Sequence, residues 1–344
     1  MRLSPATQSY LLVPLSKTDA RRRRFDRAFA SFLRQCGVAA ATGPGIQRAA
    51  MPAVARAAKP GSSICIVTSV MPRRIEAQQA ALRSWRAAGL SVVSVNSASE
   101  ADSLRQHFPD ITFRILDNTA NDNAGRPLIP VQELIRAAVQ APADICGIIN
   151  SDIEFRGEPT FFDRVRHEVP GALVFGNRID FEDTGFAGGK AYRFGYDFFF
   201  WQRENSALFE DTPMILGLPW WDFWLPMQAR GQGLATKRFV TSAMAHVVHP
   251  TGYDIPTFLK FGHHFARALT GVYGRWSDDR APVERVFLHR LFATAATIPV
   301  DEDTDLTRRQ VMAVCDLSNC LIDAMAETVT LPDAHLAMGT LPLL

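Results

Sequence analysis

Between Ser63 and Asn150 the chain alternates short apolar runs with helical patterns, and this alternation restricts the folds open to it. Ile64 to Thr68 is apolar and bounded by polar residues, so it reads as a buried strand. Glu76 to Ala88 follows as a helix with Ala80, Leu82 and Trp85 inward, and Gly89 ends it. Leu90 to Asn96 is a second strand, Ser99 to His107 a second helix, and Ile111 to Leu116 a third, half-buried strand. Pro130 to Gln140 is a third helix that leads into the apolar run Ile145 to Ile149. A β-α-β-α-β-α-β order predicts an α/β fold built on a mostly parallel sheet with right-handed crossovers.

The fourth strand ends abruptly in Asn150, Ser151 and Asp152, with Glu154 two residues further on. Open α/β sheets bind ligands just beyond strand C-termini. A carboxylate there, among oxygen-bearing neighbours, suits a hard divalent cation holding a diphosphate. The bland alternative is a turn or helix-cap aspartate.

At 344 residues the chain can bury a large core, and a net charge of +2 gives no global case for nucleic acid or membrane. The five cysteines are scattered without a C-x-x-C pair, and Cys65 and Cys146 sit inside apolar runs. A reducing compartment, and so a cytoplasmic protein, is expected. No run approaches the roughly 18 apolar residues of a membrane-spanning helix, and Met1 to Leu15 lacks a secretory pattern.

Residues 1–60 read as an appendage. Asp19 to Val38 is helical in pattern, with Arg21 to Arg24 at its start, and Ala39 to Lys59 reads as an Ala-, Gly- and Pro-rich linker. The four arginines read as a solvated helix face, since the basic character does not continue. Residues 61–255 form the expected catalytic domain. Residues 256–344 read as helical, over Pro256 to Leu269, Pro282 to Ala296 and Asp305 to Glu327.

Several blocks, in order, resemble the GT-A glycosyltransferases: the strand and loop Ile64 to Arg74, the strand-end segment Asn150-Ser151-Asp152, the aromatic segments Gly195 to Trp201 and Leu216 to Pro226, and Ala243 to Asp254 with its two histidines. Asn150 departs from the first acidic position of that family's Asp-x-Asp signature. The resemblance implies a nucleotide-diphosphate sugar bound across the first four strand ends. Thr68 and Ser69 would line the nucleoside pocket, Asn96 would meet base or ribose, and Asn150 and Ser151 would flank Asp152. Arg74 and Arg126 would approach phosphate, for which a planar charged fork is suited. Asp152, Glu154 and either His246 or His249 would hold Mn²⁺ or Mg²⁺. A spacing of three on a continued strand would send the two histidines to opposite faces.

Asp222 stands among Trp221, Phe223 and Trp224, where an apolar setting would raise its carboxyl toward that of a general base. The resemblance places it on the acceptor side, with Trp221 and Trp224 as a stacking platform and Asp197 as a second acceptor-side carboxylate. The implied reaction is metal-assisted sugar transfer to a hydroxyl acceptor, by inversion in the leading reading with retention left open, and with no nucleic-acid partner. Association with a second copy is left open. A nucleotidyltransferase is disfavoured because Ser69 to Arg74 holds no glycine, and a hydrolase because no Gly-x-Ser-x-Gly elbow occurs. A non-catalytic scaffold stays open because of Asn150.

Overall fold

In the computed structural model the described residues are 27–28, 31–32, 35, 61–117, 119–121, 125–209, 211–250, 254–274 and 283–333. Most of the expected N-terminal helix, its four arginines and the linker lie outside them. Ala28 and Phe32 are helical and buried in the main core.

The first four strands follow the expected register of alternation. β1 (Ile64–Thr68) and β4 (Ile145–Ile149) are apolar and wholly buried, as strands covered on both faces must be. β2 (Ser91–Ser97) and β3 (Thr112–Leu116) complete a parallel half-sheet in the order β4-β1-β2-β3. The crossovers are α1 (Ile75–Ala87), α2 (Ala98–Leu104) and α3 (Val131–Gln140). α1 buries Gln78, Ala81, Leu82 and Trp85, so its inner face includes Ala81 in place of the expected Ala80.

Beyond β4 the chain adds β5 (Glu154–Phe155), α4 (Thr160–Glu168), β6 (Ala172–Gly176), β7 (Ile179–Phe181), β8 (Lys190–Ala191) and β9 (Phe198–Gln202). β9 runs antiparallel between β4 and β6, the reversed strand of the large sheet. All five of its residues are buried. Its rings fit because β6 ends in Gly176, where a Cβ would collide with Phe198. After α5 (Trp221–Gly231) come β10 (Ala235–Val240), β11 (Met244–Val247), α6 (Ile255–Gly274), α7 (Val283–Ala295), α8 (Asp305–Met325) and β12 (Glu327–Thr330).

The large sheet has the order β12-β10-β6-β9-β4-β1-β2-β3. The expected last helix stops at Met325, two residues short, and Glu327 opens β12, which pairs parallel to β10. The C-terminal helices share the main core with α3 and α5: Trp220 donates Nε1–H to the Phe258 carbonyl at 3.0 Å and packs on Phe265 at 5.0 Å. A second sheet, β5-β11-β7-β8, stands at the C-terminal end of β4. Among the described residues no helix is long and apolar enough to cross a membrane.

Candidate metal and acid-base site

The small sheet brings three distant stretches together. The turn after β4 carries Asp152 and runs into β5, which pairs antiparallel with β11. His246 of β11 lies in register with Asp180 of β7, and its Nδ1 is 2.8 Å from Asp180 Oδ1. Its other nitrogen, Nε2, is 3.6 Å from Asp152 Oδ2. His249 Nε2 approaches the same oxygen at 3.1 Å. The opposite-face expectation for the two histidines is therefore corrected. β11 stops at Val247, so His249 lies beyond the pleat and turns back, and the two rings meet at 5.1 Å.

Two arginines frame this cluster. Arg74, at the start of α1 with φ 53°, donates to Asp152 Oδ2 at 2.9 Å and to the Val247 carbonyl at 3.3 Å. A non-glycine residue in the left-handed region is held there only by surrounding contacts. Arg178 bridges Asp180 at 2.7 Å and Asp197 at 2.6 Å, and its guanidinium lies 3.9 Å from the Tyr192 ring centroid.

Burial alone would push the Asp152 carboxyl up. Hydrogen bonds from His246 and His249, then the charges of His246 and Arg74, outweigh it and hold the carboxyl well below the usual range. Burial would likewise lower His246, but Asp152 and Asp180 hold it above its ordinary value. The ligand atoms of Asp152, His246 and His249 lie within 4.8 Å of one another. One carboxylate and two imidazoles fit a first-row divalent ion, and a cation would replace the proton on His246 Nε2. Asp180 behind Nδ1 sets the ring so that Nε2 faces the cluster, the usual outer support of a ligating histidine.

The other half of the site is built on α5. Its second residue, Asp222, accepts a hydrogen bond from the Tyr196 backbone N–H at 3.1 Å. That approach requires Gly195, where a Cβ would strike Asp222 Oδ2. Burial pushes the Asp222 carboxyl up to about 7, the Tyr196 N–H pulls it down, and the Asp197 charge pushes it up again.

Asn150 joins the halves. Its N–H donates to the Asp197 carbonyl at 3.3 Å and its Nδ2 to Asp197 Oδ1 at 3.2 Å. An aspartate at 150 would set two carboxylates against each other, so the departure from Asp-x-Asp has a local electrostatic reason. Asp197 is 2% exposed; burial raises its carboxyl against the pull of Arg178, and its Oδ2 is buried without a partner.

Several sequence-based assignments change. Thr68 is fully buried and donates to the Ile149 carbonyl at 2.7 Å, tying β1 to β4. Asn96 is fully buried between Ser94 and the Val70 carbonyl, with Ser69 at 3.4 Å. Ser151 is buried against Gln78 at 3.0 Å. These side chains satisfy backbone and buried polar groups at the strand ends instead of facing a ligand. Glu154 pairs with Arg156 at 2.8 Å and stands outside the three-residue cluster. Trp221 and Trp224 are core residues, packed on Phe199 at 5.4 Å and Phe209 at 6.4 Å, so neither offers a stacking face. Asp197 braces Arg178 and Asn150 and is not open to an acceptor. Arg126 is exposed on the loop before α3. Arg178 and Asp180 were missed; the signal was the alternation Arg178-Ile179-Asp180-Phe181, a short strand with charge on one face.

No family model and no curated protein matches the chain. Among solved structures it is similar to residues 1–349 of Staphylococcus aureus TarS in complex with UDP-GlcNAc, at 10% identity and TM-score 0.45, over 67% of this chain and 71% of that one. It is similar to the mannosyltransferase PcManGT of Pyrobaculum calidifontis in complex with GDP-Man and Mn²⁺, at 12% identity and TM-score 0.40, over 93% and 97% of the chains. A putative nucleotide-diphospho-sugar transferase of Desulfovibrio desulfuricans is similar at 11% identity and TM-score 0.35, over 68% and 97%. At these identities the likeness is one of chain path, and the chemistry is read from the side chains.

Proposed function

We propose that this protein transfers a sugar from a nucleotide-diphosphate donor to an acceptor hydroxyl, with a divalent cation held by Asp152, His246 and His249. The observation that carries the reading is the convergence of Asp152, His246 and His249, whose ligand atoms lie within 4.8 Å of one another, in a fold that also holds a buried carboxyl, Asp222, raised above its ordinary range. Binding a cationic centre needs the first, and taking a proton from a hydroxyl needs the second. When bound, the cation would stabilise charge on the departing diphosphate. Arg74 directs its fork at the same place and suits phosphate oxygens. Asp222 takes the proton of the acceptor hydroxyl as its oxygen attacks the anomeric carbon from the face opposite the leaving diphosphate. That single displacement inverts configuration. A non-catalytic scaffold loses its main support, because Asn150 has a bonding role that accounts for its identity.

The test is calorimetric titration of UDP, GDP, CDP and ADP, each alone and with Mn²⁺, Mg²⁺ or Zn²⁺. Binding of one diphosphate that requires a cation, and is lost in Asp152→Ala, is the expected result. No binding by any of the four under any condition overturns the donor-site reading.

A further inference from the structure

The Tyr196 backbone N–H meets the Asp222 carboxylate because two stretches of chain are held in place, and one C-terminal helix bears on both. Asn319 and Asp323 lie four residues apart on α8 (Asp305–Met325), so they share a face. Asn319 donates its Nδ2–H to the Arg193 carbonyl at 2.8 Å. The Tyr196 hydroxyl donates back to Asp323 Oδ1 at 3.0 Å, with Asn319 Oδ1 at 3.3 Å. Tyr196 is 1% exposed and its ring stands edge-on to Phe175 at 4.8 Å. Burial and then the Asp323 charge raise its hydroxyl well above the ordinary range, so it stays protonated and donating.

Arg238 of β10 closes a ring of bonds around the same segment. Its Nη1 donates to Asp323 Oδ1 at 3.0 Å and its Nε to Asn177 Oδ1 at 3.2 Å, and Asn177 Nδ2 donates to the Gly195 carbonyl. The carbonyls of Arg193 and Gly195 and the side chain of Tyr196 are thus all tied to α8, directly or through Arg238. Such connected polar networks fix one arrangement more firmly than apolar contact does.

Asp222 is held from the other direction. Trp220, two residues before it, donates to the Phe258 carbonyl and lies against Gly262 of α6. A Cβ at Gly262 would come within 3.0 Å of the Trp220 ring and 2.9 Å of Val311 on α8, so three elements meet there without slack. Cys315, one turn before Asn319, lies near enough to Asp222 that the carboxylate charge helps raise its thiol, after burial and Asp316. Docking α8 does not call for the polar pair, since Val311, Val314, Leu317, Leu321 and Ile322 already bury its apolar face.

We propose that Asn319 and Asp323, backed by Arg238 and Asn177, are positioning residues that fix residues 193–196 so that the Tyr196 N–H faces Asp222, the base of the reaction proposed above. The C-terminal helix is then part of the acid-base half of the site. Asp222 is faced by the amides of Tyr196, Asp222 and Phe223, by the Asp197 charge from β9 and by the Cys315 thiol from α8. The Tyr196 amide outweighs the Asp197 charge, so loosening the segment leaves burial less opposed and moves the carboxyl further up.

The test uses the full chain carrying carbon-13 at the aspartate Cγ, the Asp222 resonance being the one absent from Asp222→Asn. Its titration midpoint, about 7 in the parent, should move upward in Asn319→Ala and in Tyr196→Phe, which keeps the ring and removes only the hydroxyl. Exchange of the Tyr196 amide hydrogen should speed up by about tenfold in both, the scale of one lost hydrogen bond. Thr304→Ala is the control, because it removes the 3.1 Å cap at the far end of α8 and weakens the helix without touching the network. Both readings should stay at the parent's values there. Thermal unfolding checks that each variant is folded, and Tyr196→Phe, the milder change, carries the test alone if Asn319→Ala is not. A midpoint that stays or falls in the folded network variants, or equal amide exchange in Thr304→Ala, overturns the proposal. Neither reading needs turnover or diphosphate, so failure of the donor-site reading is seen separately in the calorimetry.

Discussion

Asp152 sits in a turn against Arg74, His246 and His249, whereas Asp222 sits at the start of a helix among aromatic rings, with only backbone N–H donors. Burial pushes both carboxyls upward. The difference lies in what faces them: imidazoles and a guanidinium overcome burial at Asp152, while the backbone N–H groups of Tyr196, Asp222 and Phe223 do not overcome it at Asp222, and Asp197 adds a repulsive charge. One side chain type is thus held below its ordinary range in one place and above it in the other, and Asn150, in the turn that carries Asp152, bonds to Asp197.

Asp222→Asn should break this division most sharply. Turnover is expected to fall by about 10³-fold, the usual scale for loss of a general base, with cation-dependent diphosphate binding unchanged in calorimetry. Loss of that binding as well would mean the two halves do not act separately. Gly195→Ala drives a methyl group into Asp222 Oδ2 and should cost about 10² in turnover by misplacing the carboxylate. A crystal structure showing Asp222 unmoved would contradict that account.

Asp180→Asn works from the other side. It removes the support behind His246 and should weaken cation binding by about 10- to 100-fold, measured by titration, while leaving the pH profile of turnover in place. The smallest effect concerns pH. Turnover should rise with pH through a midpoint of about 7, where Asp222 loses its proton, and that limb should vanish in Asp222→Asn. The linked stability has the opposite sign. A carboxyl raised from 3.8 to about 7 on folding contributes stability that is lost as pH rises across that window. Asp222→Asn should therefore be more stable than the parent at pH 8 by about 1–2 kcal/mol, discounted for partial solvent screening, and nearly equal to it at pH 4. Chemical denaturation at the two values measures this.

The parallel half-sheet was legible because β1, β2 and β4 are apolar runs punctuated by Gly89 and the polar strand ends. The small sheet was not, because β5 and β8 are two residues long and carry no periodic signal. Asp152, His246, His249 and Asp222 stood out by type and position, but their partners depended on where β11 stops, which depends on tertiary pairing. Polarity at a strand end does not by itself mark a ligand contact: backbone carbonyls claim Thr68 and Asn96, and the Gln78 amide claims Ser151. Nor does a run of tryptophans mark a stacking platform: Trp221 and Trp224 follow a left-handed residue, Trp220 with φ 79°, that turns the chain into the core.

The reversed strand in the middle of the large sheet has a consequence for synthesis. β4 and β6 are made before the strand that separates them, so each presents an open hydrogen-bonding edge until residues 198–202 have emerged. Until then two sticky edges, both on apolar strands, are available to another nascent chain. Arrival of the all-buried Phe-Phe-Phe-Trp-Gln segment closes both in one event, and only afterwards can β10 and β12 extend the sheet to its far margin.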